Sequence, residues 1–174
     1  QTERLKELVN SLVTLSRMDE ETSPLHMTDF PVSEAVEETA SSFTDYAASQ
    51  GHALTLDIQP GLTYRGDEYA VRQLTSLLLD NAIKYASPGG DIRFSLGKAK
   101  RGIVIRCENP CVNWETLETD KLFDRFYRAD ASRSGETTGF GIGLSVARSI
   151  AEGHRGSIKA ETAEGHVVFT AYLR

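Results

Sequence analysis

The apolar residues change period along this chain, and the order of those changes restricts the folds open to it. Leu54, Leu56 and Ile58 alternate with polar neighbours, as do Ile92, Phe94 and Leu96, and residues 103–108 continue in the same way. A period of two places each set on one face of a strand. Between and after them the period lengthens. Val36, Ala40, Phe43 and Ala47 predict a helix that Ser33 caps and Gly51 stops. A second helix follows a capping Asp67 to about Ala86 and ends at Pro88-Gly89-Gly90; a third spans 141–152, with Leu144, Ala147 and Ile150 on one side. Short strands are expected at 26–30 and 62–65, the latter entered through Pro60-Gly61, and two more at 157–160 and 167–173. Strands joined by tight turns imply antiparallel or mixed pairing, and helices of one-sided apolarity imply a layer on one sheet face. The expected fold class is therefore α+β, a two-layer α/β sandwich.

Composition narrows function by exclusion. The chain has 174 residues, of which 40% are hydrophobic and 25% charged, enough for one domain with a buried core. Asp and Glu number 25 against 19 Lys and Arg, a formal charge of −6, so the surface is unsuited to a phosphate backbone and no nucleic-acid partner is expected. The longest apolar runs are far too short to span a membrane. The chain opens on Gln1 with no charged-then-apolar leader, and is read as a piece of something longer. Cys107 and Cys111 form no disulfide framework and have no second Cys/His pair nearby; two reduced thiols of a cytoplasmic protein are expected.

Two regions stand outside this layout. Leu5, Leu8, Leu12 and Leu15 make a heptad seam on a helix over residues 1–20, which is either folded onto its own domain or the end of a dimerising bundle. Residues 21–25, polar and ending near Pro24, read as a linker. From Asn109 to Thr138 periodicity is lost apart from a helical stretch near Leu122; the polar run 125–138 carries Arg125, Arg128 and Arg133, and a loop of this length is expected either to work as a lid or to be disordered.

Two motifs bear on chemistry. Gly139-Phe140-Gly141-Ile142-Gly143-Leu144 lies at a loop-to-helix junction. Glycines there let backbone N–H groups close on an anion at the helix N-terminus, or serve only as a tightly packed hinge. It is neither a dinucleotide fingerprint nor a P-loop. Leu74, Leu77, Asn81 and Lys84 share a stripe of the second helix. Asn81 is either a hydrogen-bonded interior amide or an oxygen ligand for Mg²⁺, with Lys84 one turn on to meet phosphate charge.

These residues carry a resemblance. Asn81-Ala82-Ile83-Lys84-Tyr85 resembles the N box of sensor histidine kinases of two-component systems, residues 122–128 their F box, and Gly139 to Leu144 their G2 box. Gly66-Asp67 and Ser16-Arg17-Met18-Asp19 are similar to that family as well. The resemblance implies that residues 1–20 end the dimerisation and phosphoacceptor bundle, that 21–25 are a linker, and that 26–174 are a catalytic ATP-binding domain of the GHKL superfamily with the Bergerat fold. It implies ATP and Mg²⁺ as cofactors, with Asn81 on the metal and Asn81 and Lys84 at the reacting phosphates. Tyr85 would line the nucleoside side, and Phe123 and Phe126 would anchor a lid over 125–138. Arg128 or Arg133 would reach the phosphates, and Gly139, Gly141 and Gly143, with Leu144, would seat them. The reaction implied is transfer of the γ-phosphoryl group to a histidine outside the chain, for relay to an aspartate of a response regulator. The parent would dimerise through the N-terminal helix and attach to the membrane through upstream segments, leaving this domain in the cytoplasm.

The match has departures. Leu77 stands where the family has a second Asn. The G1 box, DxGxG in the family, is replaced by Glu108-Asn109-Pro110-Cys111-Val112. Asn109 matches the Asp that grips adenine, with Glu108 the alternative one residue away. An amide offers an acceptor and a donor, so Asn109 can face either purine. The competing reading is a degenerate nucleotide-binding or protein-interaction module without kinase activity. His26, His52, His154 and His166 lack the acceptor context and are expected to be structural or surface residues.

Overall fold

The computed structural model describes residues 9, 24–129 and 141–174. Apart from Val9, Pro24 and Leu25, the expected N-terminal helix and linker lie outside the described residues, as do Arg133 and Gly139. The elements follow as β1 (Thr28–Phe30), α1 (Val32–Ser41), α2 (Thr44–Ser49), β2 (Leu54–Ile58), β3 (Tyr64–Gly66), α3 (Glu68–Tyr85), β4 (Ile92–Lys98), β5 (Ile103–Pro110), a 3-10 turn (Thr119–Phe123), α4 (Gly143–Gly153), β6 (Ser157–Ala163) and β7 (His166–Leu173).

Five strands form a mixed sheet in the order β2-β4-β5-β7-β6, with β2 and β4 parallel and the other pairs antiparallel. β1 and β3 pair separately as a two-stranded antiparallel ribbon. The register aligns Leu56, Phe94, Cys107, Phe169 and Ala160 in one row across the sheet. This row belongs to the face that α1, α3 and α4 cover, and Phe94, Cys107 and Phe169 in it are buried. The neighbouring row, Asp57, Ser95, Arg106, Thr170 and Lys159, faces the other way. The period-two pattern thus sorts a core face from a charged open face, which is the expected two-layer sandwich. From α3, Leu74, Leu78, Leu79 and Ile83 enter the core, each side chain contributing about 1.5–3 kcal/mol by leaving water.

Two expectations for the first helical segment need correction. Ser33 does not cap it. The helix begins one residue earlier behind Pro31, and the buried Ser33 hydroxyl donates to the Gln59 carbonyl (2.5 Å) and accepts the Leu62 N–H (2.9 Å), tying α1 to the β2–β3 turn. Nor does one helix run to Gly51. The Ser42 hydroxyl takes the Thr39 carbonyl (2.6 Å), the Phe43 N–H bonds Ala40 (3.1 Å), and α2 starts afresh at Thr44. A serine hydroxyl competing for backbone partners ends the helix despite a continuous apolar stripe.

Candidate functional site

The site is built on the second half of α3. Asp67 caps that helix, its Oδ1 accepting the Ala70 N–H (3.0 Å), and the stripe of sequence-identified residues climbs from core to rim. Leu74 is fully buried, Leu77 and Asn81 are half-buried, and the Lys84 side chain remains 21% exposed, its Nζ 2.9 Å from Asp80 Oδ2. Tyr85, the last helical residue, is exposed. Asn81 and Lys84 therefore stand one turn apart on the partly exposed side of α3.

The second wall is the start of α4. Gly141 holds φ at +71°, and a Cβ there would lie 2.8 Å from the Tyr127 carbonyl oxygen and 2.9 Å from the Phe126 carbonyl carbon. Its own carbonyl accepts the Phe126 N–H (2.9 Å). Glycine is required at this point because only it combines the left-handed conformation with so close a backbone approach. The contact pins the end of the F box to the G2 glycines, on either side of residues 130–140. Phe123 is buried and meets Phe169 edge-on, with ring centroids 6.1 Å apart, which seats the 3-10 turn on the sheet. Phe126 does not anchor by its ring, which is 65% exposed on a backbone with φ of +65°; its hold is the main-chain bond to Gly141. The Tyr127 hydroxyl donates to Glu118 (3.3 Å), and Lys121 Nζ lies 3.1 Å from the same carboxylate. Hydrogen bonding and charge from Lys121, with the Tyr127 hydrogen bond, hold the Glu118 carboxyl below its usual range. Arg128 is half-buried just beyond.

α4 itself opens at Gly143 with no acidic residue in its first turn and no side-chain cap. A Cβ on Gly143 would sit 3.5 Å from Leu77 Cδ2, so the helix abuts α3 one turn before Asn81. Leu77, the residue that departs from the N-box pattern, is what α4 rests against. Leu144 follows half-buried against the core. The positive end of the α4 dipole favours an anion at this terminus, one turn of α3 from Asn81.

The third element is the end of β5. Cys107 and Asn109 point to the helical side, and Glu108 points to the open face in a row with Arg93 and Val168. Strand alternation thus separates the two residues that the sequence left as alternatives. The Cys107 thiol reaches the Leu78 carbonyl (3.6 Å), and the Ser87 N–H donates to the Pro110 carbonyl (3.0 Å). These contacts bracket Asn109 beneath the last turns of α3, which carry Asn81 and Tyr85. Asn109 is 1% exposed. Its Nδ2 donates to the Pro110 carbonyl (3.1 Å), whereas its Oδ1 is buried with no hydrogen-bond partner. A buried carbonyl oxygen without a donor costs about 1–3 kcal/mol, so this atom marks where a ligand donor fits. The Ser87 and Pro110 contributions had no signal in the sequence, because they act through main-chain atoms of distant residues.

Comparison with known proteins agrees with this geometry. Residues 66–174 match the model of the histidine kinase-, DNA gyrase B-, and HSP90-like ATPases. Sensor protein DltS of Streptococcus agalactiae is 32% identical over 160 residues, which cover 92% of this chain and 40% of DltS. The chain therefore spans well under half the length of that relative. Among solved structures, the Acinetobacter baumannii histidine kinase AdeS aligns with a TM-score of 0.79 at 25% identity, covering 99% of this chain and 79% of that one. Histidine kinase ThkA in complex with response regulator protein TrrA aligns with a TM-score of 0.77 at 21% identity, covering 99% of this chain and 48% of that one, and supports the fold. Family model, relatives and architecture agree: the chain belongs to the histidine kinase-, DNA gyrase B- and HSP90-like ATPases, and within them to the ATP-binding domains of sensor histidine kinases.

Proposed function

We propose that this domain binds Mg-ATP and delivers the γ-phosphoryl group to a histidine outside residues 1–174, for relay to an aspartate of a response regulator. The observation that carries the reading is the meeting of α3 and α4, where Gly143 packs on Leu77 and brings the α4 N-terminus to one turn of α3 from Asn81. Gly141, Gly143 and Leu144 seat the phosphates at that terminus, together with Gly139. The Asn81 amide oxygen is a hard ligand that fits Mg²⁺, an ion that takes few protein ligands and shares substrate phosphates. When bound, the metal offsets phosphate charge; Lys84 adds its own charge there, and positioning with electrostatics is most of what phosphoryl transfer requires. Tyr85 lines the nucleoside side, Asn109 meets the base, and a lid over 125–138 brings Phe126 and Arg128 or Arg133 to the phosphates.

The partners follow from the family and from the ThkA–TrrA complex: a response regulator, and a second copy of the chain through the helix at 1–20. No helix among the described residues is long and apolar enough to cross a membrane, and the proposal places this domain in the cytoplasm with membrane attachment through upstream segments. A second reading, a degenerate nucleotide-binding or protein-interaction module without kinase activity, is favoured by the G1 segment, where Cys111 and Asn113 stand at the two glycine positions that follow Asn109. Calorimetry with ATP, with and without Mg²⁺, together with transfer of γ-label to a separately added helical bundle carrying an acceptor histidine, separates the two. The kinase reading expects Mg²⁺-dependent binding that Asn81→Ala weakens at least tenfold. Equal affinity of the wild type and Asn81→Ala in Mg²⁺ overturns the metal assignment, and absence of binding leaves the second reading.

A further inference from the structure

We propose that Cys111 is a thiol-modification site at the edge of the base end of the site, where a mixed disulfide with a small thiol and a bound nucleotide exclude one another. The proposal rests on the nucleotide reading of the site and adds a reversible block to it.

The peptide that joins Pro110 to Cys111 is held at both ends. Its carbonyl accepts the Asn109 side-chain Nδ2 (3.1 Å) and the Ser87 N–H (3.0 Å). Its N–H, which belongs to Cys111, donates to the Gly165 carbonyl (2.8 Å). That bond carries the β5–β7 pairing one residue past Pro110 and His166, so strand alternation continues and sets Cys111 on the helical side with Cys107 and Asn109. Cys111 accordingly packs against the core while staying partly exposed. At about 3.3 Å per residue it follows Asn109 by ~7 Å. Cys107 on the same face is fully buried, its thiol donating to the Leu78 carbonyl (3.6 Å). A reagent that arrives from solvent therefore meets Cys111 and not Cys107.

The thiol stands beside a group that itself calls for a ligand. Asn109 is 1% exposed and its Oδ1 has no hydrogen-bond partner, while Nδ2 of the same amide is bound to the peptide that leads into Cys111. A donor that satisfies this oxygen lies against that peptide. Cys111 also occupies the first of the two glycine positions of the G1 pattern, so a nucleophilic sulfur stands where the family pattern has no side chain. The reaction that fits is thiol–disulfide exchange. The Cys111 thiol gives up its proton, and the thiolate attacks one sulfur of a small disulfide. The new bond to Sγ forms as the old S–S bond breaks, and the departing thiolate takes up a proton. Cys111 is oxidised and the departing thiol is reduced; an excess of reducing thiol reverses the exchange. An adduct of peptide size next to Asn109 fills the space that a base needs, and a seated base in turn covers Sγ.

Glutathione disulfide is the probe, used on the unaltered 174-residue chain. Intact-mass and peptide analysis should find one glutathione per chain, on Cys111. Calorimetry with ATP in Mg²⁺ should then show an affinity lower by about tenfold or more, restored by dithiothreitol, with the far-UV circular dichroism unchanged. Mg-ATP at about ten times its Kd should slow adduct formation about tenfold, in step with the fraction of chain left free. In Cys111→Ser the same treatment should leave the ATP affinity at that variant's own untreated value. An adduct on Cys111 that keeps ATP affinity within about twofold, or a modification rate indifferent to ATP, overturns the proposal while the nucleotide site stands. So does an adduct on Cys107, a folded chain that takes no adduct at Cys111, or loss of the folded signal on modification. If the untreated chain binds no nucleotide, the nucleotide reading fails and this proposal with it.

Discussion

Cys107 and Cys111 are four residues apart, yet the sheet gives them different chemistry. Cys107 sits in the core row between Phe94 and Phe169, fully buried, and burial, with a smaller contribution from Glu108, pushes its thiol up to about 12. Cys111 follows the strand end and is partly exposed. Thiolate is the reactive form, so a disulfide reagent at pH 8 should label Cys111 in the folded chain and Cys107 only on unfolding. The same shift predicts a stability profile. Unfolded Cys107 loses its proton near pH 8.5–9, well before the folded thiol does. Between those values the folded state holds the extra proton, so stability is intact below that range and falls as pH rises toward 12, at no more than about 1.4 kcal/mol per pH unit. Tyr64, raised by burial from 10.0 to about 12, adds a loss of the same sign only above pH 10. Urea unfolding at pH 8 and pH 10 should therefore show a smaller alkaline loss for Cys107→Val than for wild type. Parallel losses would show that the thiol does not control the profile.

Among the elements, α3 was the most legible and the first helical segment the least. α3 has a long one-sided stripe, an Asp cap and a Pro-Gly-Gly stop, and all these signals agree on one helix. Its cap does more than local capping: Asp67 Oδ1 accepts Ala70 N–H (3.0 Å), Oδ2 accepts the backbone N–H of His26 (2.9 Å), and its own N–H donates to His154 Nε2 (3.0 Å). Asp67→Ala loses both carboxylate bonds and should cost about 1–2 kcal/mol, roughly 2–8 °C in Tm for a domain of this size. Asp67→Asn keeps a capping oxygen and should lose less than half of that. Thermal unfolding of both variants checks it, and equal losses would show that the cap is not the dominant contact. The segment from Val32 to Ser49 has an equally continuous stripe, but periodicity does not register a serine hydroxyl that competes for a carbonyl, and the helix breaks at Ser42 and Phe43. The site divides in the same way. Asn81 was legible as a polar residue on an apolar stripe, and the G2 glycines by composition. The choice between Asn109 and Glu108 needed the strand register, and the bond that orients the Asn109 amide needed a main-chain carbonyl that no side-chain pattern reveals.

At the scale of the whole molecule, the fold keeps its own histidines away from the reacting end of the site. α3 and α4 meet where Gly143 packs on Leu77, and that junction is the phosphate end of the proposed site. His154 lies at the other end of α4, ~15 Å away at 1.5 Å per residue. It is fully buried, with Nδ1 2.8 Å from the Ile150 carbonyl and Nε2 accepting the Asp67 N–H, so neither ring nitrogen is open to attack phosphorus. His26 is tied through its main chain to Asp67 at the start of α3, ~20 Å from Asn81 by the same rise. His52 is buried with Nδ1 2.8 Å from the Gly90 carbonyl, and His166 pairs with Pro110 in the sheet, so both lie by the base end. An in-line displacement needs a nucleophile within about 3–3.5 Å of the γ-phosphorus, and no histidine of the described residues is presented there. The chain alone, incubated with γ-labelled ATP and Mg²⁺ and resolved under alkaline conditions that preserve phosphohistidine, should stay unlabelled while still binding nucleotide. The same preparation should label a separately added helical bundle that carries an acceptor histidine. Stoichiometric acid-labile label on His26, His52, His154 or His166 would mean that the domain reaches an arrangement in which α3 and α4 no longer hold the phosphates and those histidines apart.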